Sequence, residues 1–211
     1  MVDKYAKEVK AALQLKKAGN MVHNTLGGRE VHGMNERIGG FPTTPKEEDL
    51  LKIRKAMEGS KATAELAVKL FTSLDIPDFA DSENTLMALD PGKKFGYLGD
   101  YVLVSDGKRR KVEEYKELTN EKVVKHSHAK HSSYKGSPFM VGALPRLLLC
   151  KDKLYGKAKE LFKEHEDKLD QKNSLTNNLA QAIELVHSVD RCIEDIDTLL
   201  GNGLEKEELV E

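Results

Sequence analysis

The sequence predicts a mainly helical protein, a helical bundle with a small antiparallel β hairpin. Apolar residues recur every three or four positions near the N-terminus and, most regularly, over residues 175–200, which is the period of packed helices. The hairpin is indicated by strand formers at 101–104 followed by the turn sequence Ser105-Asp106-Gly107. We expect a single domain over residues 1–201, with the hairpin inserted near 76–111 and an acidic tail over 202–211.

Composition excludes several classes of protein. The chain has 211 residues with 34 Lys+Arg and 35 Asp+Glu, and a net charge of -1 argues against a dedicated nucleic-acid binder. No segment approaches the ~18 apolar residues of a membrane span, and the charged N-terminal segment lacks the apolar region of a signal peptide. We therefore expect a cytoplasmic protein that binds neither nucleic acid nor a membrane.

The first half of the chain predicts two helical regions joined by a loop. Residues 2–25 alternate apolar and charged faces, whereas glycines and prolines crowd residues 26–45 and favour an ordered loop. Thr44, Pro45 and Glu47 form a helix start signal, with a hydroxyl cap, a proline at the first position and a carboxylate that can bond back. This second region extends to residue 75, with a kink or break at Gly59 and Ser60.

The second half predicts a polar helix over 113–131, a loop over 132–145 and two long final helices. The last helix is capped by Ser174 and ended by Gly201. Its apolar stripe follows steps of three and four residues. Such a stripe packs either in the core of a bundle or in a coiled-coil dimer.

Few residues offer obvious chemistry. Cys150 and Cys192 form no CxxC pair, so the chain alone carries neither a zinc knuckle nor a cysteine-ligated iron–sulfur cluster. His126, His128 and His131 could bind zinc or nickel, but a helix would turn the first two apart, so we interpret them as a solvated helix end. Phosphate-binding loops, metalloprotease motifs and nucleophile elbows are absent from the sequence.

The segment GGREVHGMNERIGGF, residues 27–41, combines paired glycines with arginines and a histidine. Glycine pairs allow positive φ and close approach of another body, and Arg29, His32 and Arg37 supply hydrogen-bond donors. Two interpretations stay open from the residues alone. The loop either docks a partner or lines an active site, or it is a tight structural crossover.

Three motifs in this order resemble the large subunit of nickel–iron hydrogenases, most closely the cytosolic multi-subunit type. The segment LKKAGNMVHNTLGGREVHGMNERIGGFPTTP is similar to the family pattern GGRxxHPxxxxxGGF. VKHSHAKHSSYKGSPFMVGALPRLLL is similar to HSxAKHxxYxGxPFxVGxLARxxL, and NNLAQAIELVHSVDRCIEDIDTLL resembles a late helix of that subunit. The resemblance implies the fold found in the middle of a hydrogenase large subunit. It also implies a place in a hydrogen-oxidising or hydrogen-evolving oxidoreductase assembly.

Departures from the family bear on activity. The family holds nickel and iron with two CxxC pairs, and this sequence has neither, so the resemblance covers the middle of the subunit only. We expect no cofactor in this chain alone, no activity in isolation, and a nickel–iron centre only if separate partner chains supply the cysteines. The alternative is a non-catalytic scaffold or assembly subunit, like the metal-free large subunit of respiratory complex I, or the remnant of a hydrogenase gene.

The resemblance also implies an interaction surface. In the family, the loop and the VGxLAR segment lie where the large subunit encloses the metal centre and meets the iron–sulfur small subunit. The corresponding residues expected at an interface or lining an active site are Arg29, His32, Arg37, Gly39, Gly40 and Arg146. The alternative is that Arg29 and Arg37 tie the loop to helix ends within the chain. Gly33 stands where the family has proline, and Pro145 precedes Arg146 where the family has alanine.

Overall fold

The computed structural model describes residues 4–38 and 40–204. These group into two compact units, one from Met1–Leu70 and Leu185–Glu211 and the other from Phe71–Glu184. The single domain over residues 1–201 stays a prediction. Of the predicted acidic tail, residues 205–211 lie outside the described residues.

Helices dominate the described part of the chain, as predicted. The α-helices are α1 (Ala6–Gly27), α2 (Glu47–Glu58), α3 (Lys61–Thr72), α4 (Tyr115–Leu118), α5 (Ala143–Leu149), α6 (Gly156–His165) and α7 (Asn177–Asn202). The strands are β1 (Thr85–Leu89), β2 (Tyr101–Val104), β3 (Arg109–Lys111), β4 (Asn120–Lys122), β5 (His131–Ser133) and β6 (Phe139–Met140). Within the described residues, no helix is both long and apolar enough to cross a membrane.

The first unit is the predicted helical bundle. Helices α1 and α2 contact each other, and Arg54 of α2 binds Asp197 of α7 through Nε and Oδ1 at 2.6 Å. Lys61 of α3 lies 3.6 Å from the Asp190 carboxylate of α7. The apolar side chains buried in this unit are Leu15, Ala18, Leu50, Ile53, Met57, Ala64, Val68, Val186, Val189, Ile193 and Ile196. Burial of these periodic positions is the main stabilising contribution to the unit.

The predicted break after α2 is confirmed, but the predicted start signal is wrong. Helix α2 begins at Glu47 with Lys46 at the N-cap position, and no side chain caps it. Three acidic residues, at positions 47–49, occupy its first turn, where the helix dipole favours negative charge. Thr44 and Pro45 therefore belong to the preceding loop, because an acidic first turn can begin a helix without a hydroxyl cap.

Helix α7 carries the apolar stripe that the sequence predicts, with a different cap. A 3-10 turn, Ser174–Thr176, precedes it, and the Asn173 side chain accepts a hydrogen bond from the Leu175 amide at 3.0 Å. Asn173 thus takes the role expected of Ser174. The helix ends at Asn202, and the left-handed residue is Gly203, with φ of 84°, rather than Gly201. The stripe is buried within the chain, as the bundle interpretation requires.

The second unit contains a sheet larger than the predicted hairpin. Strands β2 and β3 form that hairpin, with Tyr101 opposite Lys111. Strand β1 pairs antiparallel with β2 and parallel with β6, giving the order β3-β2-β1-β6. Helix α5 packs against β1, and a small core is formed by the buried side chains of Met87, Val104, Leu118 and Tyr134.

The polar helix predicted over 113–131 is wrong. Only α4 is α-helical there, and β4 pairs antiparallel with β5, with Lys122 opposite His131. Residues 132–145, predicted as loop, contain part of β5, β6 and the start of α5. Beyond Leu118 this segment offers no apolar face at helical spacing, so nothing could hold a helix against the core. Of the two long final helices, α7 has 26 residues and α6 only 10.

Candidate functional site

The glycine loop, defined here as residues 28–41, leaves the end of α1 through two backbone reversals. Gly28 has φ of 80° and its amide donates to the Asn24 carbonyl at 3.1 Å, which ends the helix. The Gly27 carbonyl then accepts hydrogen bonds from the amides of Met34 and Asn35. A Cβ on Gly33 would lie 3.4 Å from the Gly27 carbonyl oxygen, so the loop closes most easily with glycine at this position.

Asn35 fixes the loop, and the sequence analysis did not single it out. Its Nδ2 donates to the carbonyls of Leu26 and Thr43, both at 2.9 Å. Its Oδ1 accepts from the Thr43 amide at 3.1 Å. One side chain therefore joins the end of α1 to the approach to α2. An asparagine between two glycine pairs is the only signal that could have found it, because short amides commonly bond to nearby backbone in turns.

The structure places the predicted residues of the first unit on this one loop, at its surface. Arg29, His32 and Arg37 are all exposed. The Arg29 Nε donates to the His32 carbonyl, and His32 has φ of 53°. The backbones of Arg37 and Gly40 pair in a bridge with two hydrogen bonds of 3.1 Å. Gly39 lies outside the described residues. Neither arginine side chain is joined to a helix end by a hydrogen bond within the described part of the chain.

Large apolar side chains lie exposed between these cations. Val31 is 66% exposed, Met34 67% and Ile38 95%. Phe41, at the end of the loop, is also exposed. Contiguous exposed apolar side chains rimmed by charge are typical of protein interaction sites. The glycine loop therefore has the composition of a docking surface held in shape by Asn35.

Arg146, in the second unit, has a different setting. Its Nε and Nη2 donate to the two Glu184 carboxylate oxygens at 2.6 and 2.8 Å, and the Glu184 side chain is only 8% exposed. The guanidinium also lies 5.2 Å from the centre of the Tyr97 ring. The hydrogen bonds to Glu184 raise the pKa of Arg146 further above its ordinary value. This two-point pair orients Arg146 at the edge of an apolar groove.

The groove, as we call it from here on, is a cavity of about 280 Å³ in the second unit. Its floor comes from β1, β2 and β6, and its wall from α4. The lining residues are Met87, Ala88, Leu89, Tyr97, Val102, Tyr115, Leu118, Thr119, Phe139, Val141, Gly142 and Arg146. Apolar and aromatic side chains with few polar groups are typical of binding clefts.

The histidine cluster lies on a hairpin rather than a helix, which corrects the geometric argument from sequence. The rings of His126 and His131 pack edge to face with centroids 5.2 Å apart. Among the described residues, no group of three or more His, Cys, Asp or Glu side chains is placed to hold a metal ion.

The two thiols do not fit a nickel–iron centre either. Such a centre needs several thiolates together, whereas Cys150 belongs to the second unit and Cys192 to the first. Burial raises the pKa of both thiols, which disfavours the thiolate that binds metal. The donor set of the described residues therefore does not fit this cofactor.

Comparison with known proteins identifies relatives along nearly the whole chain. The chain is 40% identical over 202 residues to the sulfhydrogenase 1 alpha subunit of Pyrococcus furiosus, covering 95% of this chain and 47% of that protein. The sulfhydrogenase 2 alpha subunit of the same organism is 37% identical, with 98% and 47% covered. A subunit of the vhu F420-non-reducing hydrogenase of Methanocaldococcus jannaschii is 28% identical, with 93% and 52% covered. No protein-family model matches the chain.

Solved structures show the same fold. An NAD+-reducing [NiFe]-hydrogenase in the H2-reduced state superposes with a TM-score of 0.80 at 17% identity, covering 100% of this chain and 51% of that one. A [NiFeSe]-hydrogenase from Dm. baculatum superposes with a TM-score of 0.68 at 16% identity, with 97% and 51% covered.

The fold is therefore that of nickel–iron hydrogenase large subunits. The chain is a homologue of the hydrogenase alpha subunits, and the resemblance inferred from the three motifs is confirmed. It spans about half the length of the curated relatives that it matches.

Proposed function

We propose that this chain acts as a large-subunit component of a hydrogen-oxidising or hydrogen-evolving oxidoreductase assembly and docks to its partners through the glycine loop. The observation that carries the proposal is the 40% identity, across 95% of the chain, to a sulfhydrogenase alpha subunit. The cytoplasmic location expected from the sequence stays a prediction.

The proposed partner at the glycine loop is an iron–sulfur hydrogenase small subunit. Ile38, Met34 and Val31 supply apolar area that can be desolvated, and arginines beside them supply donors for carboxylates or carbonyls. The Arg29 Nε is used within the loop, which holds that guanidinium at a fixed place on the surface. A preshaped loop loses less conformational entropy on binding than a mobile one.

The described residues do not hold the nickel–iron centre, so no catalytic step is assigned to them. In this proposal separate chains carrying the CxxC pairs supply the metal ligands, and this chain supplies the surrounding scaffold. The alternative function is a non-catalytic scaffold or assembly subunit. That alternative is favoured by the buried, separated thiols, and stoichiometric nickel in an assembled complex would exclude it.

The test is co-purification of the tagged chain with an iron–sulfur small subunit encoded in the same genome. We expect a complex that the double variant Arg29→Ala/Arg37→Ala weakens by about 30-fold, since loss of interface anchors commonly costs ~2 kcal/mol. The melting temperature should not change, because both side chains are exposed.

The matched control is Lys16→Ala/Lys17→Ala, which removes the same charge from the exposed face of α1. It should leave binding intact. Unchanged binding of the arginine variant, or a melting temperature lowered by several degrees, would remove Arg29 and Arg37 from the proposed surface.

A further inference from the structure

The groove in the second unit is an apolar surface that the glycine loop does not explain. Met87, Val102, Leu118 and Phe139 line it from the sheet and α4. Large side chains at its rim are exposed, with Tyr97 46%, Tyr115 53% and Val141 62% exposed. Folded proteins seldom leave such a cleft and its rim open to water together, so the surface indicates a binding partner.

The length of the relatives indicates which partner covers it. The chain matches 51% of the superposed NAD+-reducing hydrogenase chain and 47% of the sulfhydrogenase 1 alpha subunit. Each relative therefore contains about as much polypeptide again without a counterpart in this sequence. That additional polypeptide must pack on surfaces of the shared fold, and the groove is an open apolar surface of this kind.

We propose that the groove is the docking site for a polypeptide segment equivalent to the part of a hydrogenase alpha subunit that this chain does not match, supplied by a separate chain. The inference rests on the proposed function, because it takes the partner to be hydrogenase polypeptide. It adds a second interface, in the second unit, distinct from the glycine loop.

The chemistry of the groove defines what the segment presents. The volume of about 280 Å³ and the apolar lining suit one or two large aliphatic or aromatic anchors rather than a charged side chain. At the edge, the Arg146 Nε and Nη2 are engaged with Glu184, whereas Nη1 has no part in that pair. Nη1 can donate to a backbone carbonyl beside the anchor, which fixes the direction in which the segment enters.

The experiment measures binding of overlapping synthetic peptides that cover the unmatched parts of the Pyrococcus furiosus sulfhydrogenase 1 alpha subunit. Fluorescence anisotropy with the purified full chain reports the dissociation constant of each peptide. We expect at least one contiguous region to bind, and Val141→Asp to weaken that binding at least about tenfold, because a carboxylate at the rim must be desolvated.

Val123→Asp is the matched control, since Val123 is 85% exposed in the same unit and does not line the groove. It should bind peptide as the unaltered chain does, and circular dichroism should show both variants folded. Absence of peptide binding, or equal weakening by both substitutions, overturns the proposal. Self-association that Val141→Asp abolishes also overturns it, by assigning the groove to a second copy of the chain.

The two interfaces fail separately. Arg29→Ala/Arg37→Ala should leave peptide binding unchanged, because those residues belong to the glycine loop. Peptide binding without a small-subunit complex would retain the groove and contradict the docking role of the loop. The reverse result would contradict the groove alone.

Discussion

The Arg146–Glu184 pair is the most buried ion pair of known geometry in the described chain, and it supports a stability prediction. Removing the guanidinium leaves a carboxylate that is 8% exposed without its two donors. Breaking such a pair costs about 3 kcal/mol, and Arg146→Ala should therefore lower Tm by roughly 6–12 °C. Thermal unfolding followed by circular dichroism measures the change.

Arg110→Ala is the control for this substitution. Arg110 and its partner Glu117 are 44% and 67% exposed, and their nearest charged atoms are 3.8 Å apart. An exposed pair of this kind contributes less than about 1 kcal/mol. Equal Tm values for Arg146→Ala and the unaltered chain would mean that Arg146 serves a partner rather than the stability of this chain.

Asp106 makes the stability of the second unit depend on pH. The hydrogen bonds from Lys135 and from the Tyr134 hydroxyl hold the pKa of this carboxyl well below its ordinary value. A depressed folded-state pKa contributes stability above the unfolded pKa of about 3.9, and this contribution is lost as the pH falls toward the folded value. Asp106→Asn should therefore flatten the fall of Tm between about pH 5 and pH 2.

Tyr134→Phe separates the two causes of this shift, because it removes one donor and keeps the Lys135 bond at 2.8 Å. We expect a Tm curve between those of the unaltered chain and Asp106→Asn after correction for the change at pH 7. Parallel curves for Asp106→Asn and the unaltered chain would contradict the assignment.

At the scale of elements, the connection between β1 and β2 depends on one glycine. A Cβ built on Gly99 would lie 2.0 Å from the Asp90 carbonyl oxygen, a contact that only backbone movement can relieve. Gly99→Ala should destabilise the chain by about 2 kcal/mol, as overpacking commonly does. Urea unfolding gives the free energy.

Gly96→Ala is the matched control in the same connection. The Cβ would meet nothing nearer than the Pro91 Cβ at 3.7 Å, so the substitution should be neutral or stabilise by up to about 0.5 kcal/mol. If Gly99→Ala were as stable as Gly96→Ala, the close approach to Asp90 would be wrong.

Elements with strong local signals could be predicted from the sequence, and the weaker ones could not. The stripe of α7 is buried because its apolar residues share one helix face, and the β2–β3 hairpin forms around a turn with Gly107 at φ of 88°. Strand β1 was not identified because Leu86, Met87 and Ala88 are all buried, so its apolar run lacks the alternation of a half-buried strand.

The same limit explains the errors at β4 and in the candidate site. Strands β4 and β5 are almost wholly exposed, and pairing across the hairpin, which local sequence does not encode, decides their conformation. The motif identified Arg29, His32 and Arg37, but Asn35 acts through backbone groups eight and nine residues away. Such hydrogen bonds leave no periodic trace in the sequence.

At the scale of the whole molecule, the two thiols lead to a prediction about metal content. The full sequence contains two cysteines and no CxxC pair, and burial raises the pKa of both Cys150 and Cys192. A nickel–iron centre requires several thiolates on one metal pair, which this chain cannot supply by itself. The purified chain should therefore contain substoichiometric nickel and should not reduce viologen with hydrogen.

Elemental analysis and a hydrogen-dependent viologen assay measure both properties, and the double variant Cys150→Ser/Cys192→Ser serves as the control. We expect the variant to match the unaltered chain in nickel content, because neither thiol is a ligand in this proposal. One nickel per chain that disappears in the variant would contradict it. Nickel and activity that appear only after addition of chains carrying CxxC pairs would favour the assembled hydrogenase over the scaffold, because the ligands would then come from the partner.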